Sequence, residues 1–341
     1  MVEKSQDSDS TDGFHHWSLE RQLGYLEQNL RPETFPDLIL LCADLADTTP
    51  LLSLVRQGQE AGFTLDETYG ELLLKLSTSA LQKLLELPNL GQAVKAAWTR
   101  AEVEQLVSFA LLDRYLRRRH PKTWRQCLDK VATLSEERLQ TRSAPDERLI
   151  LRLEGRQQKR LKKLFPEGWP QWSQAWAESS KKAIHPLAAR PRGVSLANAE
   201  RLLSQQVYTD QGHFLLELLQ NADDAGADEF EVRFEKDAIT VSHNGDPFDF
   251  RDLVGVLSIG QTTKTERQIG YFGVGFKSVF EVTERPRIYS GHFAFEIVEI
   301  SILNALQNHN FQEHLHRILG DLGAPGAPYQ CHDLENHDDR K

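Results

Sequence analysis

The sequence predicts an α+β fold: a long all-helical N-terminal region, then a smaller domain in which helices feed an antiparallel sheet. Three observations carry this. From about Trp17 to about Leu164 apolar residues recur at helical spacing, as in Val103, Leu106, Val107, Ala110, Leu111 and Tyr115. Two prolines and a glycine then interrupt the pattern in Ile184-His-Pro-Leu-Ala-Ala-Arg-Pro-Arg-Gly193. Beyond that break, two helical stretches precede the partly alternating runs Phe230-Glu-Val-Arg-Phe234 and Ala238-Ile-Thr-Val-Ser242.

Residues 1–13 are polar and rich in Ser and Asp, with too little apolar surface to offset the entropy of ordering, which predicts a disordered tail. A helical domain is assigned to residues 14–183, with Thr99 capping the helix that begins near Val103. No fixed period repeats within it, so a plain bundle is the default reading and a solenoid the less supported one. The basic runs Arg114-Tyr-Leu-Arg-Arg-Arg-His120 and Arg156 to Lys163 suit a phosphate backbone or, more commonly, a solvated helix face. Trp169, Trp172 and Trp176 at helical spacing suit a core or interdomain contact, or a surface for stacking bases or a partner helix. Residues 184–194 read as a linker, and residues 195–299 as a second domain.

Within that domain Ser195–Gln206 and Gly212–Ala225 read as helices. On the second, Glu217, Asn221 and Asp224 project from one face, because residues three and four apart stack along a helix. Leu215, Leu216, Leu218 and Leu219 predict that this helix is packed, so two acids and an amide on it need partners. A nucleotide with its metal supplies them. The strand ending in Ser242-His-Asn-Gly-Asp-Pro-Phe248 closes in a glycine turn where a ligand can approach the backbone. Gly270-Tyr-Phe-Gly-Val-Gly-Phe-Lys-Ser-Val-Phe280 is a glycine-rich loop running into an apolar helix, which presents amides to an anion. Each of the last two signals is weak alone.

In this order and at these separations, the three elements resemble the GHKL (Bergerat-fold) ATPases. Glu217-Leu-Leu-Gln-Asn-Ala-Asp-Asp-Ala225 is similar to their N box, His243-Asn-Gly-Asp-Pro-Phe248 to their adenine motif, and Gly270-Tyr-Phe-Gly-Val-Gly275 to their second glycine box. The wording is most similar to the sacsin-like and heat-shock-chaperone-like branch, also through Ser258-Ile-Gly-Gln-Thr-Thr-Lys264 and Gly-Phe-Lys-Ser-Val-Phe. The resemblance covers about Ser195 to Ile297, close to a third of the chain. It implies a GHKL-type α/β sandwich with ATP and Mg²⁺ as its ligands.

By the same resemblance Glu217 is the general base for the water attacking the γ-phosphate, Asn221 places its side-chain oxygen on Mg²⁺, and Asp224 supports the surrounding water. Ala225, His243, Gly245 and Phe248 fall to the nucleotide through the first two motifs. Gly270, Phe272, Gly273, Val274, Gly275 and Phe276 wrap the phosphates, with Lys277 as an extra charge or as a packing residue. Thr262, Thr263 and Lys264 lie where related ATPases have a mobile lid.

Two departures stand out. Many GHKL ATPases have an aspartate accepting the adenine amino proton where this chain has His243; a neutral imidazole accepts such a bond through one nitrogen, a cationic one does not, and a histidine that merely caps the turn is the other reading. The sheet also continues, in the family, for several strands after the second glycine box. Here only Arg285–Ser290 and His292–Val298 look extended, so the sandwich is expected to be cut short at its C-terminal end, followed by a helix and flexible tail over residues 300–341. His309, His314, His316, Cys331 and His332 in that tail match no zinc spacing.

The 341 residues carry a formal charge of -10, which makes nucleic acid an unlikely partner for the surface as a whole while leaving a local basic patch open. Cys42, Cys127 and Cys331 form no CxxC pair, the apolar stretch Leu38 to Val55 is broken by Asp44 and Asp47, and no export signal is visible. A cytoplasmic protein without a membrane span is expected. The expected function is ATP binding with slow Mg-dependent hydrolysis, lid closure changing how the helical region meets an unknown protein partner or client. The alternative is a non-catalytic nucleotide-binding or interaction scaffold. A histidine kinase fits poorly because His185 precedes a proline in the linker, and topoisomerase-like or DNA-repair relatives need a transducer domain after this module. Oligomeric state is not legible.

Overall fold

The computed structural model describes residues 13–43, 45–188, 213–257, 276, 278, 279, 282, 283 and 285–297. Residues 1–12, most of the expected linker, the expected helix Ser195–Gln206, the expected lid with Thr262, Thr263 and Lys264, the residues Gly270, Phe272, Gly273, Val274, Gly275 and Lys277, and the expected tail 300–341 lie outside the described residues. The chain forms two compact units, Met1–Ala101 with Val107–Arg125, and Glu102–Leu106 with Gln126–Lys341.

The first unit is helical: α1 (Leu19–Asn29), α2 (Phe35–Leu41), α3 (Thr49–Glu60), α4 (Gly70–Lys75), α5 (Thr78–Leu84), α6 (Gly91–Arg100) and most of α7 (Leu106–Arg119). Ser18 and Ser77 cap α1 and α5 by accepting the backbone N–H three residues on. The interior is Leu26, Phe35, Ile39, Leu51, Leu54, Val55, Leu81 and Trp98, each 2% exposed or less. Thr99 is not a cap. It lies in the last turn of α6, its hydroxyl donating to the Lys95 carbonyl at 2.8 Å, the back-bond a helical threonine readily makes. The capping pair is Glu102 with Gln105, which opens the 3₁₀ turn leading into α7.

The second unit holds the rest of α8 (Pro121–Gln140), then α9 (Glu147–Arg152), α10 (Gly155–Leu164), α11 (Trp169–Ala188), α12 (His213–Asp224) and α13 (Phe250–Leu257). Strands β1 (Phe230–Phe234) and β2 (Ile239–His243) pair antiparallel, Phe230 opposite His243, as do β3 (Arg287–Ser290) and β4 (Phe293–Glu296), Arg287 opposite Glu296. Among the described residues these are two separate two-stranded sheets, so the architecture is α+β and mostly helical. Helix α11 continues through Pro186 to Ala188, into the expected linker, since a proline in the last turn forfeits only one helical hydrogen bond. All three tryptophans of α11 are core: Trp169, Trp172 and Trp176 are 7%, 1% and 0% exposed. Trp176 stacks on Phe250 of α13 (8° between rings) and on His292 (20°) in the turn between β3 and β4, and Phe250 meets Phe293 edge-on, so α11, α13 and the β3–β4 hairpin share one apolar cluster.

Candidate functional site

Helix α12 buries the face that carries the polar residues. Phe214, Glu217 and Ala222 are buried and Asn221 and Asp224 half-buried, whereas Leu216 and Leu219 are exposed. The helix is packed, as its leucines predict, but on one side: Leu215 and Leu218 are half-buried, whereas at 100° per residue Leu216 and Leu219 point away from the Glu217 side. The helix ends in a Schellman cap, Gly226 N–H reaching the Asp223 carbonyl (2.8 Å) and Ala227 N–H the Ala222 carbonyl (3.0 Å), with Gly226 at φ 68°.

This end of α12 is stitched to the turn after β2. Asp246 N–H donates to the Ala225 carbonyl at 2.8 Å, and the Asn244 side-chain oxygen accepts from Asp228 N and Glu229 N, both at 3.1 Å. The Asn244 amide nitrogen donates in turn to the Asp228 carboxylate. A Cβ at Gly245 would lie 2.9 Å from the Ala225 oxygen and 3.0 Å from its Cβ, so only glycine allows this approach. Glu217, Asn221, Asp224, Ala225, His243, Gly245 and Phe248 are thus carried by two elements bonded to each other. Phe276 is half-buried, and Ser278 and Val279 are buried.

His243 has a defined tautomer. Gly245 N–H donates to its Nδ1 at 3.2 Å, so the neutral ring carries its proton on Nε2, and burial holds its pKa below the usual histidine value. Its free nitrogen is a donor. The capping role left open by the sequence is the one this bond describes, and an acceptor for an amino group is not available on the ring in this arrangement.

The turn is held from its other side as well, by contacts the sequence did not point to. Phe248 N–H donates to Ser290 Oγ at 2.9 Å, and the Phe248 carbonyl accepts from Gln158 Nε2 at 3.2 Å. Lys159 Nζ donates to the Asn244 carbonyl at 3.0 Å. Arg251, 3% exposed, pairs with Asp249 at 3.4 Å and donates to the Arg152 carbonyl at 3.1 Å. The helix α13 was itself legible: Asp249 accepts from Arg251 N and Asp252 answers to Asp249 N, a capping pattern ahead of Phe250, Leu253, Val254 and Leu257 at helical spacing.

Among the described residues no group of three or more His, Cys, Asp or Glu is arranged to hold a metal, and no helix is long and apolar enough to cross a membrane. Cys42 is a free thiol, and burial pushes it up to about 12, which makes it inert.

Residues 232–316 match the family described as the Sacsin domain. That stretch is sacsin-like. Over 113 residues the chain is 39% identical to Protein NO VEIN of Arabidopsis thaliana, covering 30% of this chain and 4% of that protein. Over 124 residues it is 30% identical to Sacsin of Homo sapiens, covering 29% of this chain and 3% of that one. The chain therefore spans only a few per cent of the length of these relatives. No solved structure matches. The sacsin-like stretch takes in most of β1, the His243–Phe248 turn, α13 and the β3–β4 hairpin, while Glu217, Asn221 and Asp224 stand on the helix just before it.

Proposed function

We propose that α12 and the sacsin-like stretch form a GHKL-type site that binds ATP with Mg²⁺, hydrolyses it slowly, and uses lid closure to change how the chain meets a protein partner in the cytoplasm. The observation that carries this reading is the buried Glu217 on a helix face shared with Asn221 and Asp224, whose end is bonded to a turn that only glycine fits. Carboxylate and amide oxygens are the hard donors that magnesium takes, and the site residues described fit that ion and a nucleotide.

Bound magnesium supplies charge neutralisation on the phosphates. Asn221 offers its side-chain oxygen to the metal. Glu217 orients a water and removes its proton as that water attacks phosphorus, a task for which a desolvated carboxylate on a rigid helix is suited. Asp224, one turn on, positions further water. Replacing Glu217 by Ala should leave ATP affinity within a few fold and lower turnover by about 100-fold or more, as measured by titration calorimetry and phosphate release. Equal loss of both, or loss of neither, refutes the role.

One observation favours a second reading, a non-catalytic nucleotide-binding or interaction scaffold. The Nδ1 of His243 is taken by Gly245 N–H, so the ring offers a donor where an adenine amino group needs an acceptor. Nucleotide binding without any turnover in the wild type would select that reading.

A further inference from the structure

Helix α10 precedes the sacsin-like stretch by some distance in sequence, yet it meets the turn at the heart of the candidate site through three unrelated contacts. A Cβ on Gly155 would lie 2.0 Å from the Pro247 carbonyl oxygen, closer than any side chain tolerates. Gln158 is 1% exposed and donates to the Phe248 carbonyl at 3.2 Å. Lys159 Nζ donates to the Asn244 carbonyl at 3.0 Å and lies 3.8 Å from the Asp246 carboxylate. The lysine side chain is itself 56% exposed, so packing does not dictate where its ammonium sits. The charge of Arg156 to Lys163 is thus not spent only on water.

We propose that α10 is a wall of the nucleotide site, with Gly155 and Lys159 as positioning residues that hold the turn Asn244–Phe248 in place for the base of the nucleotide. This rests on the ATP-binding reading. Lys159 donates to the carbonyl of Asn244 beside the carboxylate of Asp246 and so holds the turn; Gly155 lets the helix come close enough for this. The site is accordingly larger than the sacsin-like stretch, and α10 belongs to it.

The test uses the full chain and measures affinity for Mg-ATP and Mg-GTP in the wild type, Lys159→Met, Lys159→Arg, Gly155→Ala and Asn221→Ala. Lys159→Met should weaken ATP by about tenfold, the loss of one charge-assisted hydrogen bond, and narrow the preference between the two nucleotides, while Lys159→Arg restores both. Gly155→Ala should weaken ATP at least as much; should that variant fail to fold, the exposed Lys159 pair decides. Unchanged affinity in Lys159→Met, or an equal loss for both nucleotides, overturns the proposal. Wild-type binding that is abolished by Asn221→Ala but indifferent to the α10 variants overturns this inference alone, and absence of binding in the wild type overturns the ATP-binding reading with it.

Discussion

Among the described residues two acids are buried on helices, one in each compact unit, and their surroundings differ. Asp113 in the first unit is 2% exposed, and its carboxylate accepts from Trp98 Nε1 at 2.8 Å and Trp124 Nε1 at 3.0 Å, with Arg117 Nη2 at 3.4 Å. That guanidinium also lies over the Trp124 ring, its carbon 4.6 Å from the centroid. The carboxylate closes a knot of apolar rings. Glu217 in the second unit is 9% exposed and sits on a helix face with Asn221 and Asp224, an acid beside a second acid and an amide. Such a face gains from a cation and from solvent molecules held in place. Burial alone does not mark a chemical role; the kind of neighbour does.

The comparison breaks most visibly by removing each acid in turn. Asp113→Ala takes the shared acceptor from two buried indoles and a guanidinium and should cost about 3 to 5 kcal/mol in urea unfolding of the first unit. Glu217→Ala, which on the proposed reading removes a group that faces a ligand, should change stability by less than about 1 kcal/mol. A large loss in the second variant and a small one in the first would invert the assignment.

The units also separate by pH. Burial, helped by the charge of Lys162, pushes the His292 imidazole down to about 4 from 6.5. Its ring stacks on Trp176 with centroids 5.1 Å apart, and its Nδ1 lies 3.0 Å from Ser173 Oγ. Because the folded pKa is the lower one, the unfolded chain binds the proton first, so this contribution to stability is complete above pH 6.5 and is lost as pH falls from there towards 4. The loss should approach about 3 kcal/mol across that window and be confined to the second unit, with His292→Phe flattening the slope; an unchanged slope in that variant would assign the acid sensitivity to other groups.

Much of the local structure was legible in the sequence because it is written at short range. Strand β1 and all but the last residue of β2, helix α12 with the shared face of Glu217, Asn221 and Asp224, and the two extended runs after residue 285 all follow from periodicity. Thr99 misled because a threonine hydroxyl serves equally as a cap and as a back-bond within a helix. The leucines of α12 predict packing but not its side, because apolar composition does not say how many sides of a helix are covered. The contacts of Gly155, Gln158 and Lys159 with the turn span about ninety residues and rest on shape, which no local pattern encodes. The tautomer of His243 depends likewise on one backbone N–H two residues on.

The central claim is tested most directly by titration calorimetry of Mg-ATP into the full chain beside Asn221→Ala. Saturable, magnesium-dependent binding that disappears in the variant is the outcome the account predicts. A folded wild-type chain that binds no nucleotide, or an affinity indifferent to Asn221→Ala, would contradict it.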